Sequence, residues 1–210
     1  GDHERLLTWL RRNREAVVER QLSFVLDSPG GSVDEALRIA EVFEDLLVHA
    51  WVPPFCLNGG SEDSQSRRPR CASACFVLSV GAPNRTIGAQ TVGLHRPTFD
   101  SRYYQRLDPL SARKAYEEGL QALTSWLRRR SVPQHLTEAM MARSSQEIYW
   151  LNADDVNALG VVAPWLEEFA IARCDYRRTL MDEWTAAKFR DRNPELAATL
   201  EARLQRQGEC

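Results

Sequence analysis

Ser73 stands between two alanines in Cys71-Ala72-Ser73-Ala74-Cys75, and His95 follows it in Gly93-Leu94-His95-Arg96-Pro97. Upstream, Asp27-Ser28-Pro29-Gly30-Gly31-Ser32 closes a short apolar run. Acyl transfer needs a nucleophile, a base within its reach, and donors aimed at the oxyanion that develops. A serine with small neighbours permits a tight strand-to-helix turn, and a helix start offers free N–H groups to negative charge. A glycine pair after a strand lets bare backbone approach a ligand. Each string also has an ordinary use: Ser73 as a packing residue, Ser32 as a helix cap, His95 as a satisfied structural histidine. Their succession along one chain is what points to a serine hydrolase.

The elements that must position these residues follow from apolar periodicity. Residues 4–20 read as an amphipathic helix and 22–26 as a short strand, which Ser28 to Gly31 breaks. Ser32 then caps a helix over 33–49. A second strand is expected over 51–57, and 58–70 has almost no apolar content and reads as a surface loop. Residues 72–80 predict a small-residue helix, and 86–88 and 91–94 predict strands, with His95 where the second stops. A long helix over 108–130, started by Pro109 and Ser111, precedes a helix over 133–141 and a strand over 148–151. Asn152 caps a helix that Gly160 ends. Residues 175–207 are helical and amphipathic, with a break at Asn193-Pro194. Alternating strands and helices predict an α/β core. The 210 residues divide on this reading into a catalytic domain over 1–165 and a helical tail over 166–210.

A formal net charge of −2 gives no electrostatic reason to expect nucleic acid, and the run Arg128 to Arg130 reads as a solvated helix face. No apolar run approaches the roughly 18 to 20 residues of a membrane span. The 5 cysteines are an odd set. A disulfide from Cys56 to Cys71 or Cys75 would staple the 58–70 loop and would favour an oxidising compartment, periplasmic or secreted. No second Cys/His pair has zinc-site spacing, so neither a metal nor a cofactor is expected.

Taken together, Ser28-Pro29-Gly30-Gly31, Ala72-Ser73-Ala74 and His95-Arg96-Pro97 resemble the motifs of the Clp protease proteolytic subunit and its relatives, including signal peptide peptidase A and periplasmic Clp-like proteins. The stretch from Trp150 to Val162 is similar to a family segment that ends in a glycine and a short strand. The resemblance covers residues 20–165. It implies a ClpP/crotonase-like spiral of strand-strand-helix units with an added helical tail. It implies Ser73 as nucleophile, His95 as base, and the N–H groups of Gly31 and Ala74 as the oxyanion hole. It further implies a peptide or unfolded protein as substrate, and homo-oligomers, since many relatives form rings.

One position departs from the family. The aspartate that orients the histidine lies there six positions before the aromatic residue matching Trp150, and in this chain that position is Ser144. Its hydroxyl can fix a tautomer but brings no charge to an imidazolium, and Glu147 is an acidic neighbour that could substitute. Loss of that carboxylate costs on the order of 10⁴ in rate in a Ser-His-Asp enzyme. A Ser/Lys dyad would have only Lys114 or Lys188 to draw on, both in charge-rich helices. Two other readings stand beside the peptidase: a catalytically weak or inactive Clp-like binding or assembly module, and a crotonase-type acyl-CoA enzyme that uses the same glycine turn.

Overall fold

The computed structural model describes residues 1–19, 22–53, 70–98, 105–177 and 179–208. Cys56, most of the polar 58–70 stretch and the end of the second expected strand lie outside the described residues. The chain forms two compact units, Gly1–Ala163 and Pro164–Cys210.

The first unit opens with α1 (Asp2–Arg12) and α2 (Arg14–Glu19), followed by β1 (Ser23–Val25). Helix α3 (Val33–Asp45) starts as expected, with the Ser32 hydroxyl accepting from the Glu35 N–H at 3.3 Å. It ends earlier than the apolar pattern predicts. Leu47 takes a left-handed φ of 50° and turns the chain, so His49 begins strand β2 (His49–Val52) instead of closing the helix. The helix expected over 72–80 is likewise divided: Cys71–Ala72 is strand β3, and helix α4 is Ala74–Gly81. Then come β4 (Asn84–Ile87), β5 (Val92–Leu94), α5 (Pro109–Arg129), α6 (Gln134–Ala142), β6 (Tyr149–Trp150) and α7 (Ala153–Leu159). Asp108 caps α5, its carboxylate accepting from Leu110 and Ser111.

Two small sheets result. The first has order β1-β2-β4, all parallel; the second has order β3-β5-β6, with β6 antiparallel. The chain visits them alternately. Beyond β1, Ser28 bridges Cys71 of the second sheet in parallel before α3; β2 leads to β3 and α4; β4 leads to β5. The order of these three visits is the same in both sheets. Helices α3 and α4 cross closely, since any Cβ on Gly81 would overlap that of Ala40. Phe43, Val52, Phe76, Leu127, Leu136 and Met140 belong to one buried core, which ties α5 and α6 to the sheets.

The second unit contains α8 (Pro164–Cys174), α9 (Leu180–Thr185) running into a π-helical turn (Ala186–Arg190), and α10 (Pro194–Gly208). Its own core is Leu180, Ala187, Ala197 and Leu200 with Trp184 and Leu204 against them. The break at Asn193-Pro194 is a cap: Asn193 Oδ1 accepts from the Leu196 N–H at 3.0 Å. Cys174 is disulfide-bonded. No described helix is long and apolar enough to cross a membrane.

Candidate active site

Ser73 occupies the single residue between β3 and α4. Its backbone has φ 57° and ψ −123°, a conformation that costs a non-glycine residue about 1–3 kcal/mol and is retained only where the surroundings enforce it. Three hydrogen bonds enforce it. The Ser73 N–H donates to the Gly93 carbonyl at 3.0 Å, the Ala72 N–H to the Ser28 carbonyl at 3.0 Å, and the Phe76 N–H to the Ser73 carbonyl at 2.9 Å. The turn therefore hangs from β5 on one side and from the Ser28 bridge on the other.

The conformation changes what the hydroxyl can do. A serine at a helix start ordinarily caps it, as Ser32 does for α3, but the Ser73 side chain makes no capping bond to α4. Ser73 is half-buried and stands at the positive end of the helix. The Ala74 N–H, first of the free donors of α4, and the Gly31 N–H donate to no other group among the described residues.

The glycine turn lies directly against this serine. Gly30 has φ 113°, and a Cβ there would lie 2.6 Å from Ser73 Cβ and 2.9 Å from the Ala72 carbonyl oxygen. Gly30 is thus the glycine whose bareness permits the approach, whereas a Cβ on Gly31 would meet open space. Ser28 locks the turn from within, its hydroxyl accepting from the Gly30 N–H at 3.2 Å. Asp27 is engaged elsewhere: its Oδ1 accepts from the Arg70 N–H at 3.1 Å.

His95 follows the last residue of β5 and lines one pocket with Ser73, Ala74, Val33, Phe76 and Pro97, closed beyond by Leu123, Leu127 and Met140. The Ser73 and His95 side chains share this pocket without a direct hydrogen bond among the described residues. The enclosed space is about 10 Å³, the size of one water molecule.

Nδ1 of His95 is 2.9 Å from the Arg96 carbonyl oxygen. A carbonyl only accepts, so Nδ1 is the donor, and in the neutral ring Nε2 is the nitrogen without a proton. The acceptor that fixes the ring is thus a backbone oxygen. Ser144 is not so placed: its hydroxyl accepts from the Gln146 N–H at 3.3 Å within a turn, and no hydrogen bond joins it to His95 among the described residues. Glu147 is exposed, its N–H donating to the Ser144 carbonyl. Lys114 faces Glu118 at 3.8 Å on the outer surface of α5, and Lys188 sits over the Trp184 ring at 4.5 Å.

The cysteines on either side of Ser73 are joined to each other: Cys71 and Cys75 form a disulfide with Cα atoms 5.0 Å apart. The bond spans the serine turn itself instead of reaching back to Cys56. Four residues of separation do not specify this pairing, because disulfide connectivity cannot be deduced from sequence.

A carboxylate supports the site from behind β6. Asp155 is buried; its Oδ1 lies 3.0 Å from His135 Nε2, and its Oδ2 accepts from the Tyr149 hydroxyl at 2.7 Å and the Asn152 N–H at 2.9 Å. Burial alone would raise this carboxyl, but the donors from Asn152, Tyr149 and His135 hold it below the ordinary aspartate range. Tyr149 pairs with Leu94 in β5, next to His95, so the buried carboxylate anchors the strand that leads to this histidine. The spacing from Asn152 to Asp155 is the capping-box signal that could have identified it. No family model, curated protein or solved structure matches the chain.

Proposed function

We propose that the chain is a serine-type peptidase of Clp-like fold. Ser73 is the nucleophile, Nε2 of His95 the base, and the N–H groups of Gly31 and Ala74 the oxyanion donors. The observation that carries this reading is the uncapped Ser73 hydroxyl, held at positive φ on the start of α4 in the same pocket as a histidine whose Nδ1 is already committed. A structural serine at that position would cap the helix and avoid the backbone cost. The alternation of the chain between two sheets, in the same order in both, supports a ClpP/crotonase-like spiral.

In the proposed reaction Ser73 Oγ attacks the peptide carbonyl as Nε2 of His95 takes its proton. Nε2 returns the proton to the leaving amine, and water then hydrolyses the acyl-enzyme by the same route. The Arg96 carbonyl holds the ring in the working tautomer throughout. It is neutral, and so stabilises the imidazolium less than a carboxylate would; turnover is therefore expected to be slow. The Cys71–Cys75 bond and the bonded Cys174 suit an oxidising compartment. The test is labelling by a fluorophosphonate: stoichiometric modification of the wild type and none of Ser73→Ala is expected, and equal modification of both would remove Ser73 as nucleophile.

A second reading, a Clp-like binding or assembly module without turnover, is favoured by the pocket of about 10 Å³ and by the neutral partner of His95. It expects no labelling of the wild type at any probe concentration.

A further inference from the structure

We infer that the Cys71–Cys75 disulfide is a positioning device for the nucleophile, which it holds in the reactive backbone conformation; this rests on Ser73 being the nucleophile. Cys71 lies in β3 and Cys75 in the first turn of α4, so the bond straddles the one residue whose φ of 57° sets the angle between strand and helix. Relaxation of Ser73 to an ordinary helix-cap conformation would swing Cys75 relative to Cys71. It would also move Oγ towards the helix N–H groups and turn the Ala74 N–H away from the pocket. The covalent span forbids that swing.

The hydrogen bonds described above act on the strand side, through Ala72 and Ser73. Among the described residues, the Phe76 N–H to Ser73 carbonyl bond and the disulfide are what reach across to the helix. A bond closing so short a segment, with a sequence separation of 4, removes little freedom from the unfolded chain compared with one closing a long loop. Its effect is therefore concentrated in local geometry. Both cysteines are buried, 0% and 2% exposed, so the bond lies inside the turn that it braces.

The experiment compares saturation kinetics of fluorophosphonate labelling for the wild type and for Cys71→Ala/Cys75→Ala, with thermal unfolding measured alongside. The expected result is a maximal labelling rate lower by about 100-fold, the cost of a displacement near 1 Å at a reacting group, with half-saturating probe concentration unchanged and unfolding still cooperative. A second arm uses the unaltered chain. Dithiothreitol supplies two electrons and two protons, converting the disulfide to two thiols and itself to a cyclic disulfide. Labelling should fall with the appearance of the thiols and return on reoxidation, while Cys174→Ala alone should label like the wild type. A folded double variant, or a folded reduced wild type, that labels within about threefold of the oxidised wild type overturns the inference. Failure of the oxidised wild type to label at all overturns instead the serine-peptidase reading, and the inference with it.

Discussion

At the scale of single residues, the proposed site depends on what Ser73 and His95 are prevented from doing. Ser73 makes no capping bond to α4, and His95 Nδ1 is engaged by the Arg96 carbonyl. Ser144 has no part in that contact, so Ser144→Ala is expected to leave the labelling rate within about twofold of the wild type, and His95→Asn to lower it by about 100-fold or more. Rate measurements on both variants check this; a collapse in Ser144→Ala would return the orienting role to that hydroxyl. Gly30→Ala places a methyl against Ser73 Cβ at a φ of 113°. It should cost at least about 1–3 kcal/mol from the backbone alone and displace Ser73, visible as a lower denaturation midpoint together with slower labelling. The sequence singled out Ser73, His95 and the glycine turn by their neighbourhoods, and the structure brings these three together. The group behind His95 was not legible there, since a backbone carbonyl has no residue-type signature, and neither Ser144 nor Glu147 takes its place by a hydrogen bond to the ring.

At the scale of elements, two buried polar groups act in opposite senses on stability. Asp155 accepts from Tyr149 and Asn152 and meets His135. Asp155→Asn loses acceptor capacity for charged-group hydrogen bonds and is expected to cost about 1.5–3 kcal/mol at neutral pH. Because the folded pKa of this aspartate lies below its unfolded value of about 3.9, its stabilisation is complete above that pH and is lost as pH falls through the folded value. The gap between the urea midpoints of wild type and Asp155→Asn should therefore shrink in acid; a gap independent of pH would contradict the ionised-acceptor role. Arg85 in β4 behaves oppositely. Only 2% exposed, it donates from Nη1 to the Val80 carbonyl at 3.4 Å at the end of α4, and its Nε has no partner among the described residues. Burial pushes it down to about 10, so its charge is a cost at neutral pH that the helix C-terminus only partly offsets. Arg85→Met is expected to be neutral or stabilising by about 1–4 kcal/mol, as chemical denaturation would show. Element types followed from period and caps, as at Ser32 and Asn152. Boundaries failed where no punctuating residue stands: Leu47 turns the chain at positive φ with neither glycine nor asparagine to announce it, and Cys71 and Ala72 pair as strand inside what reads as helix.

At the scale of the whole molecule, Gly1–Ala163 and Pro164–Cys210 each enclose an apolar core, and every side chain of the candidate pocket belongs to the first. A fragment ending at Ala163 is thus expected to unfold cooperatively and to label at a rate close to that of the full chain. Loss of labelling in a folded fragment would show that the tail completes the site. The α/β character was legible from alternating periodicities. The two-sheet arrangement was not, because a strand of two residues such as β3, or the single bridge at Ser28, is too short to leave a period.

The central claim is that Ser73 is a nucleophile made available by its backbone. The most direct measurement is peptide mapping by mass spectrometry after fluorophosphonate treatment of the oxidised chain. One adduct on the Cys71–Cys75 segment, at Ser73, is the predicted result, abolished in Ser73→Ala and strongly slowed in His95→Asn. No adduct, or adducts spread over other serines at equal rates, would contradict it.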